Sequence, residues 1–300
     1  MTNPTSSRKP AWSARVWLVT GASSGFGRAV TEAAVAAGDV VVATARRPEM
    51  LDDLLTAHPD QVDAVALDVT DPSAIPGVVA DVERRYGRLD VLVNNAGRGQ
   101  VGAAEETTDA ELRDLFELHV FGPAALVRAV LPGMRARRRG TIVQMSSFGG
   151  QVAYPGFSAY SATKFALEGY SEALAAEVGP LGVRVLVVEP GAFRTSFSGA
   201  GLVESTELPD YSDTVGPTRT MIKGIDGTQP GDPVKAAAAI VHAVTATQAP
   251  LRLPLGGDAV DGIRQHAHHL LADLTRWEHL SRDVAFAPED EALGTASTPN

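Results

Sequence analysis

Cysteine is missing altogether from this 300-residue chain. Its absence excludes disulfides, thiolate zinc sites, iron–sulfur ligation and a cysteine nucleophile, and it suits the reducing cytoplasm expected as the location. Basic residues are outnumbered, with 26 Lys and Arg against 36 Asp and Glu for a formal net charge of −10. Without a general basic surface, nucleic acid is not expected as a partner, and an anionic ligand must be met locally. Long apolar runs are lacking too. Met1 to Ser13 holds Arg8 and Lys9 but no apolar segment of signal-peptide length. Ala236 to Leu251 is interrupted by His242, Gln248 and Pro250 and is too short to span a bilayer, so a soluble protein with no membrane partner is expected. The 29 Gly and 19 Pro follow no triplet repeat, and 44% hydrophobic against 21% charged residues supports a sizeable core. Collagen and whole-chain disorder are excluded.

What is present is an alternation. Short β-branched runs at Val16 to Thr20, Val40 to Ala45, Ala64 to Val69, Val91 to Asn94, Ile142 to Ser146, Val183 to Glu189 and Leu251 to Leu255 read as strands. Several are apolar without a period of two, as strands covered on both faces should be. Helical patterns fall between them at Gly27 to Ala37, Pro72 to Tyr86, Asp109 to Arg138, Ser158 to Val178, Pro233 to Val244 and Gly262 to Arg282. The expected architecture is α/β: a Rossmann-type, doubly wound parallel sheet flanked by helices, in a single domain over residues 15–287. A flexible leader (1–14) and tail (288–300) flank it. The Gly-, Ser-, Thr- and Pro-rich stretch from Pro190 to Gly231 is too long for an ordinary connection, so residues of about 193–231 are expected to form a substrate lid, with a disordered insertion as the alternative.

After the first strand comes Thr20-Gly21-Ala22-Ser23-Ser24-Gly25-Phe26-Gly27 and then a helix. Strand, glycine turn and helix N-terminus together make an anion site, because bare backbone N–H groups and the helix dipole can approach a pyrophosphate. The same residues spell Gly21-x-Ser23-x-Gly25, the nucleophile elbow of a serine hydrolase, which would need an acid and one of His242, His266, His268, His269 or His279. The second strand ends Ala43-Thr44-Ala45-Arg46-Arg47, without the carboxylate that would read a ribose 2′-hydroxyl. Arginine there offers a fork to a 2′-phosphate, so NADP(H) is favoured over NAD(H).

Further on, Thr141 to Ser147 reads as a strand ending in hydroxyls, followed by a helix with Tyr160 and Lys164 four apart on one face. An ammonium beside a phenol is expected to lower the phenol's pKa toward neutrality. The chain uses Arg 22 times and Lys only at Lys9, Lys164, Lys223 and Lys235, so a lysine at 164 runs against its habit. His266 and His269 share a helical face, but without a third spaced ligand no metal is expected. Trp277 is expected to anchor packing of the last helix.

Over roughly Arg15 to Thr195 the chain resembles the short-chain dehydrogenase/reductase family. The resemblance rests on Gly21, Gly25 and Gly27, on Asp68-Val69, on Asn94 to Gly97, on Ser147 with Tyr160 thirteen residues later and Lys164 beyond it, and on Pro190, Gly191 and Thr195. It implies a nicotinamide cofactor and a small alcohol or carbonyl substrate, which Phe148, Val152, Tyr154 and Phe157 suggest is apolar. It also implies a homodimer or homotetramer built through the two long helices. By the same resemblance Tyr160 is the general acid/base, Ser147 bonds the substrate oxygen and Lys164 holds the nicotinamide ribose. The cofactor set it implies is Gly21, Ser23, Ser24, Gly25, Phe26 and Gly27 from the turn, Thr44 and Arg46 from the second strand, Asp68, Val69, Asn95, Ala96 and Gly97, then Tyr160, Lys164, Pro190, Gly191, Phe193 and Thr195. His119 stands where family members often carry an Asn that helps relay protons to the Lys. Imidazole either keeps that relay, as a catalytic residue, or is a satisfied core histidine. The expected function is hydride transfer between NADP(H) and a secondary alcohol or ketone; a catalytically silent NADP-binding sensor and the hydrolase on Ser23 are the alternatives.

Overall fold

The computed structural model describes residues 14–286. The expected tail, and the expected leader apart from Ala14, lie outside them. Seven strands make one parallel sheet: β1 (Val16–Val19), β2 (Val40–Ala45), β3 (Val62–Ala66), β4 (Val91–Asn94), β6 (Gly140–Met145), β7 (Val183–Pro190) and β9 (Arg252–Leu255), in the order β3-β2-β1-β4-β6-β7-β9. The chain builds outward from β1 to β3, returns to pair β4 with β1, and builds outward the other way. That reversal opens a crevice at the carboxyl ends of β1 and β4, where such sheets bind ligands.

Both faces are covered, which explains the unbroken apolar runs. Trp17, Val19, Val41, Ala43 and Val143 pack with Val30 and Ala34 of α1 (Gly25–Ala36) and Ile240 of α8 (Pro233–Thr245). Their sequence neighbours Val16, Leu18, Val42 and Ile142 pack on the other side with Val79 of α3 (Ile75–Tyr86), Leu126 of α5 (Gly122–Arg137) and Leu174 of α6 (Ser158–Val178). Each fully buried aliphatic side chain contributes about 1.5–3 kcal/mol, so the strand ends that carry the crevice are held in fixed register.

Four features differ from expectation. The strand read at Ala64 to Val69 begins at Val62 and ends at Ala66, so Asp68 and Val69 stand beyond it. The single helix read from Asp109 to Arg138 is α4 (Asp109–Phe116), a π turn at Glu117–Phe121, and then α5. Pro123 is the cause: it has no N–H for the carbonyl of His119, and the turn widens so that Gly122 N–H reaches Glu117 O instead. The expected lid carries its own structure. β8 (Leu202–Glu204) pairs in parallel with β5 (Gly99–Val101), and α7 (Gly216–Gly224) follows, fastened by buried Arg219 to Glu106 at 2.8 Å. Last, α9 (Gly257–Arg282) starts five residues early, and Trp277 is 57% exposed rather than a packing anchor. From Ala267 onward every described residue is exposed, so no surface is left there for the indole to pack on. The remaining helix, α2 (Asp52–Ala57), precedes β3.

Candidate active site

The glycine turn is built from its backbone. Gly21 and Gly25 have φ of +63° and +54°, which other residues adopt only with strain. A Cβ on Gly21 would stand 2.9 Å from Ala96 Cα, and one on Gly27 would stand 2.3 Å from Gly21 O. Asn95 Nδ2 donates to Thr20 O (2.8 Å) and Gly21 O (3.2 Å), while Thr20 Oγ1 accepts from the N–H groups of Asn95 and Ala96. The Ser24 side chain does not cap α1, which leaves the first N–H groups of that helix for an anion. This cradle, in which side chains would fill the space, fits a dinucleotide's pyrophosphate. Gly27 and Thr44, expected to touch cofactor, lie outside the cleft wall and instead shape the cradle. Thr44 is fully buried; its Oγ1 donates to Val19 O (3.2 Å) and its carbonyl accepts from Ala22 N–H (2.9 Å).

The cleft has a volume of about 1010 Å³ and is lined by every other residue of the expected cofactor set, and by Ser147, His119, Tyr160 and Lys164. Arg46 is exposed at its edge beyond β2. Asp68 accepts from Thr70 N–H (3.0 Å) and Oγ1 (2.7 Å) through one oxygen. Asn95 spends its amide on the turn. Thr195 lies against the turn, 3.5 Å from where a Gly25 Cβ would be, and its Oγ1 accepts from Phe197 N–H at 3.3 Å.

The reacting groups come from three elements: Ser147 follows β6, Tyr160 and Lys164 stand on α6, and His119 sits in the π turn. Tyr160 is packed between His119, Phe157 and Phe197, with ring centroids 5.6, 5.9 and 5.6 Å away. Burial pushes its phenol up to about 12, and a hydrogen bond with the Ser147 side chain pulls the other way. Lys164 Nζ lies 5.7 Å from the Tyr160 ring centroid and donates to Met145 O at 2.9 Å. Burial pushes this amine down to about 8, against the charge of Glu168. Without coenzyme, desolvation is the largest influence at both groups.

His119 is buried with both ring nitrogens engaged. Thr163 Oγ1 donates to Tyr160 O (2.7 Å), so it accepts from His119 Nδ1–H (2.9 Å), and the bare Nε2 accepts from Arg98 N–H (3.2 Å). Burial, with the charges of Lys164 and Arg98, holds its pKa well below the usual 6.5.

Several lining residues carried no sequence signal: Arg98, Phe197, Met221, Ile222, Ile225, Gln229 and Asp258. Most come from the lid, whose structure was not legible. Asp258 accepts from Ala192 N–H at 2.6 Å and occupies the space a Gly191 Cβ would need, a contact between residues 67 apart. For the hydrolase, none of the five named histidines lines the cleft that holds Ser23; they stand on α8 and α9. Among the described residues no group of three or more His, Asp or Glu is placed to hold a metal ion.

Residues 15–202 match the sequence profile described as short chain dehydrogenase. A crystal structure of a short-chain dehydrogenase from Streptomyces avermitilis is 62% identical, covers 92% of this chain and 100% of its own, and superposes with a TM-score of 0.87. A 3-ketodihydrosphingosine reductase of Bacteroides thetaiotaomicron is 37% identical over 244 residues, 81% of this chain and 88% of the relative. A metagenomic short-chain oxidoreductase solved with NADP is 27% identical, with a TM-score of 0.65 over 83% of this chain and 98% of its own. With the fold, the glycine cradle and the Ser147, Tyr160 and Lys164 grouping in agreement, the protein belongs to the short-chain dehydrogenase/reductase family of oxidoreductases.

Proposed function

We propose that this protein transfers a hydride between NADP(H) and a secondary alcohol or its ketone, with Tyr160 as general acid in reduction and general base in oxidation. The observation that carries the reading is the meeting of Ser147, Tyr160 and Lys164 in the cleft that also holds the glycine cradle. The coenzyme, when bound, supplies or accepts the hydride. Tyr160 keeps its proton until negative charge develops on the substrate oxygen, because burial disfavours phenolate. Ser147 donates to the same oxygen, its hydroxyl held by Gly149 N–H at 3.0 Å. Lys164 binds the nicotinamide ribose hydroxyls, and His119 orients α6 through Thr163.

Arg46, with no carboxylate at the end of β2, supports NADP(H) over NAD(H). Phe148, Val152, Tyr154 and Phe157, joined by Phe197, Met221, Ile222 and Ile225, support an apolar substrate. Phe121 and Phe165, exposed on α4–α5 and α6, support a homodimer or homotetramer through those helices. The test is Tyr160→Phe: hydride transfer to a ketone panel falls by at least about a hundredfold, with NADPH affinity within twofold. Retained turnover would reject the mechanism. NADPH binding by the wild type with no turnover on a broad carbonyl and alcohol panel would return it to the sensor reading.

A further inference from the structure

A second titratable cluster lies behind the reaction centre, one helical turn beyond Lys164. Glu168 of α6 and Glu189 of β7, 4% and 1% exposed, share two neighbours, the Gln151 amide and Arg252 Nε. Burial and the charge of neighbouring Glu168 push Glu189 up to about 7. Gln151 Nε2 donates to Glu189 Oε1 (2.9 Å) and Glu168 Oε2 (3.4 Å). Arg252 at the start of β9 donates from Nε to Glu168 Oε2 (2.9 Å), and its Nε stands 3.6 Å from Glu189 Oε1. From Nη2 it reaches Glu172 at the surface (2.6 Å).

Gln151 and Arg252 are spent on Glu168 Oε2 and Glu189 Oε1, and Glu168 Oε1 receives no donor. Ser146 Oγ, in the cleft wall beside Ser147, is buried and also unpartnered. Both atoms stand around the bare Cα of Gly150: a Cβ there would be 2.6 Å from Ser146 Oγ and 3.2 Å from Glu168 Oε1. Lys164 Nζ bonds the carbonyl of Met145, the residue before Ser146. On the opposite side of Tyr160, both His119 nitrogens are already engaged.

We propose that Glu168 and Glu189 hold one proton between them as a store for the reaction centre, delivering it past Ser146 to Lys164 and refilling from solvent at the Arg252–Glu172 edge. The proposal rests on the reductase reading above. In reduction, the Tyr160 O–H bond breaks as its proton passes to the substrate oxygen. The phenolate takes a proton from the Lys164 ammonium, the neutral amine takes one from the glutamate pair, and the pair, left as two carboxylates, regains one from water. Burial raises Glu189 and Tyr160 and lowers Lys164, which favours the neutral form of each.

The test uses Glu168→Gln and Glu189→Gln in the full-length protein, both near-isosteric. Infrared spectra of the wild type without coenzyme, titrated through neutrality, are expected to show a protonated-carboxyl C=O band that disappears in each variant. Absence of the band, or its survival in both variants, overturns the shared proton. With NADPH and a ketone the wild type reduces, each variant is expected to lose on the order of tenfold in kcat. It should also lose the limb of the kcat–pH profile near neutrality, with KM within twofold. A profile superimposable on the wild type overturns the coupling. If the wild type reduces no ketone, the reductase reading fails and the coupling with it, while the band alone still decides the shared proton.

Discussion

Replacing Gly27 by alanine adds one methyl group where α1 packs against its own turn. That methyl would stand 2.3 Å from Gly21 O and 2.4 Å from Asn95 Nδ2, whereas carbon contacts are relaxed near about 3.5–4.0 Å. Neither neighbour can retreat. Gly21 is fixed by its positive φ and by the Ala22 N–H bond to Thr44 O, and Asn95 is held by its two bonds to the turn. Relief requires α1 to shift away by more than a bond's tolerance. Overpacking of this kind costs about 1–3 kcal/mol, and losing the Asn95 bonds adds about 0.5–1.5 kcal/mol each. A total near 3 kcal/mol lowers Tm by roughly 6 °C. Displaced N–H groups should also weaken NADPH by at least about tenfold, or 1.4 kcal/mol. Gly77→Ala in α3 is the control: nothing lies within 4 Å of its Cβ, and the change should stabilise by about 0.5–1 kcal/mol. Thermal unfolding without coenzyme and fluorescence titration with NADPH read both effects. A Gly27→Ala protein that melts and binds like the wild type would refute the steric argument for the cradle.

Three further outcomes are expected. Arg46→Asp should weaken NADPH by at least about tenfold while leaving NADH unchanged or tighter, read by parallel titrations; equal losses remove Arg46 from 2′-phosphate recognition. His119 stays neutral in the fold while an unfolded histidine takes a proton near about 6.5, so the unfolded state binds more protons below that pH. Stability is then lost as pH falls through that value. His119→Gln should flatten this part of the Tm–pH curve, and parallel curves would contradict the burial argument. Arg219→Met strands Glu106 in the interior and should cost about 3–5 kcal/mol by denaturant unfolding. Adding Glu106→Gln should restore part of that, and strict additivity would mean the pair is not coupled.

Much of the fold was legible because parallel strands buried on both faces leave a local signature. β2 and β4 begin and end where their β-branched runs do, and α6 spans Ser158–Val178 as its pattern dictates. The lid was not legible, because β8 exists only through pairing with β5, about a hundred residues earlier, and α7 is fixed by Arg219 reaching Glu106. Neither partner can be found from spacing. The π turn could have been found: Pro123 lies inside an apolar helical run, and a proline there must free the carbonyl four residues back, which is that of His119.

Tyr160 shows where pairwise reasoning from spacing fails. A lysine four residues away lies on the same helical face and suggests an acidified phenol, but spacing carries no information about depth. Both side chains are buried, the Lys164 ammonium turns to Met145 O, and desolvation moves the two groups apart, phenol upward and amine downward. An amine near 8 is close enough to neutrality to exchange protons, whereas a phenol near 12 holds one until a stronger base appears. In the reduction proposed above, a developing substrate alkoxide is such a base. In the oxidative direction Tyr160 must first lose its proton, at a cost set by the same burial. Catalysis as a base therefore requires added positive charge beside the ring. The helix presents Tyr160, and the environment decides which direction its proton favours.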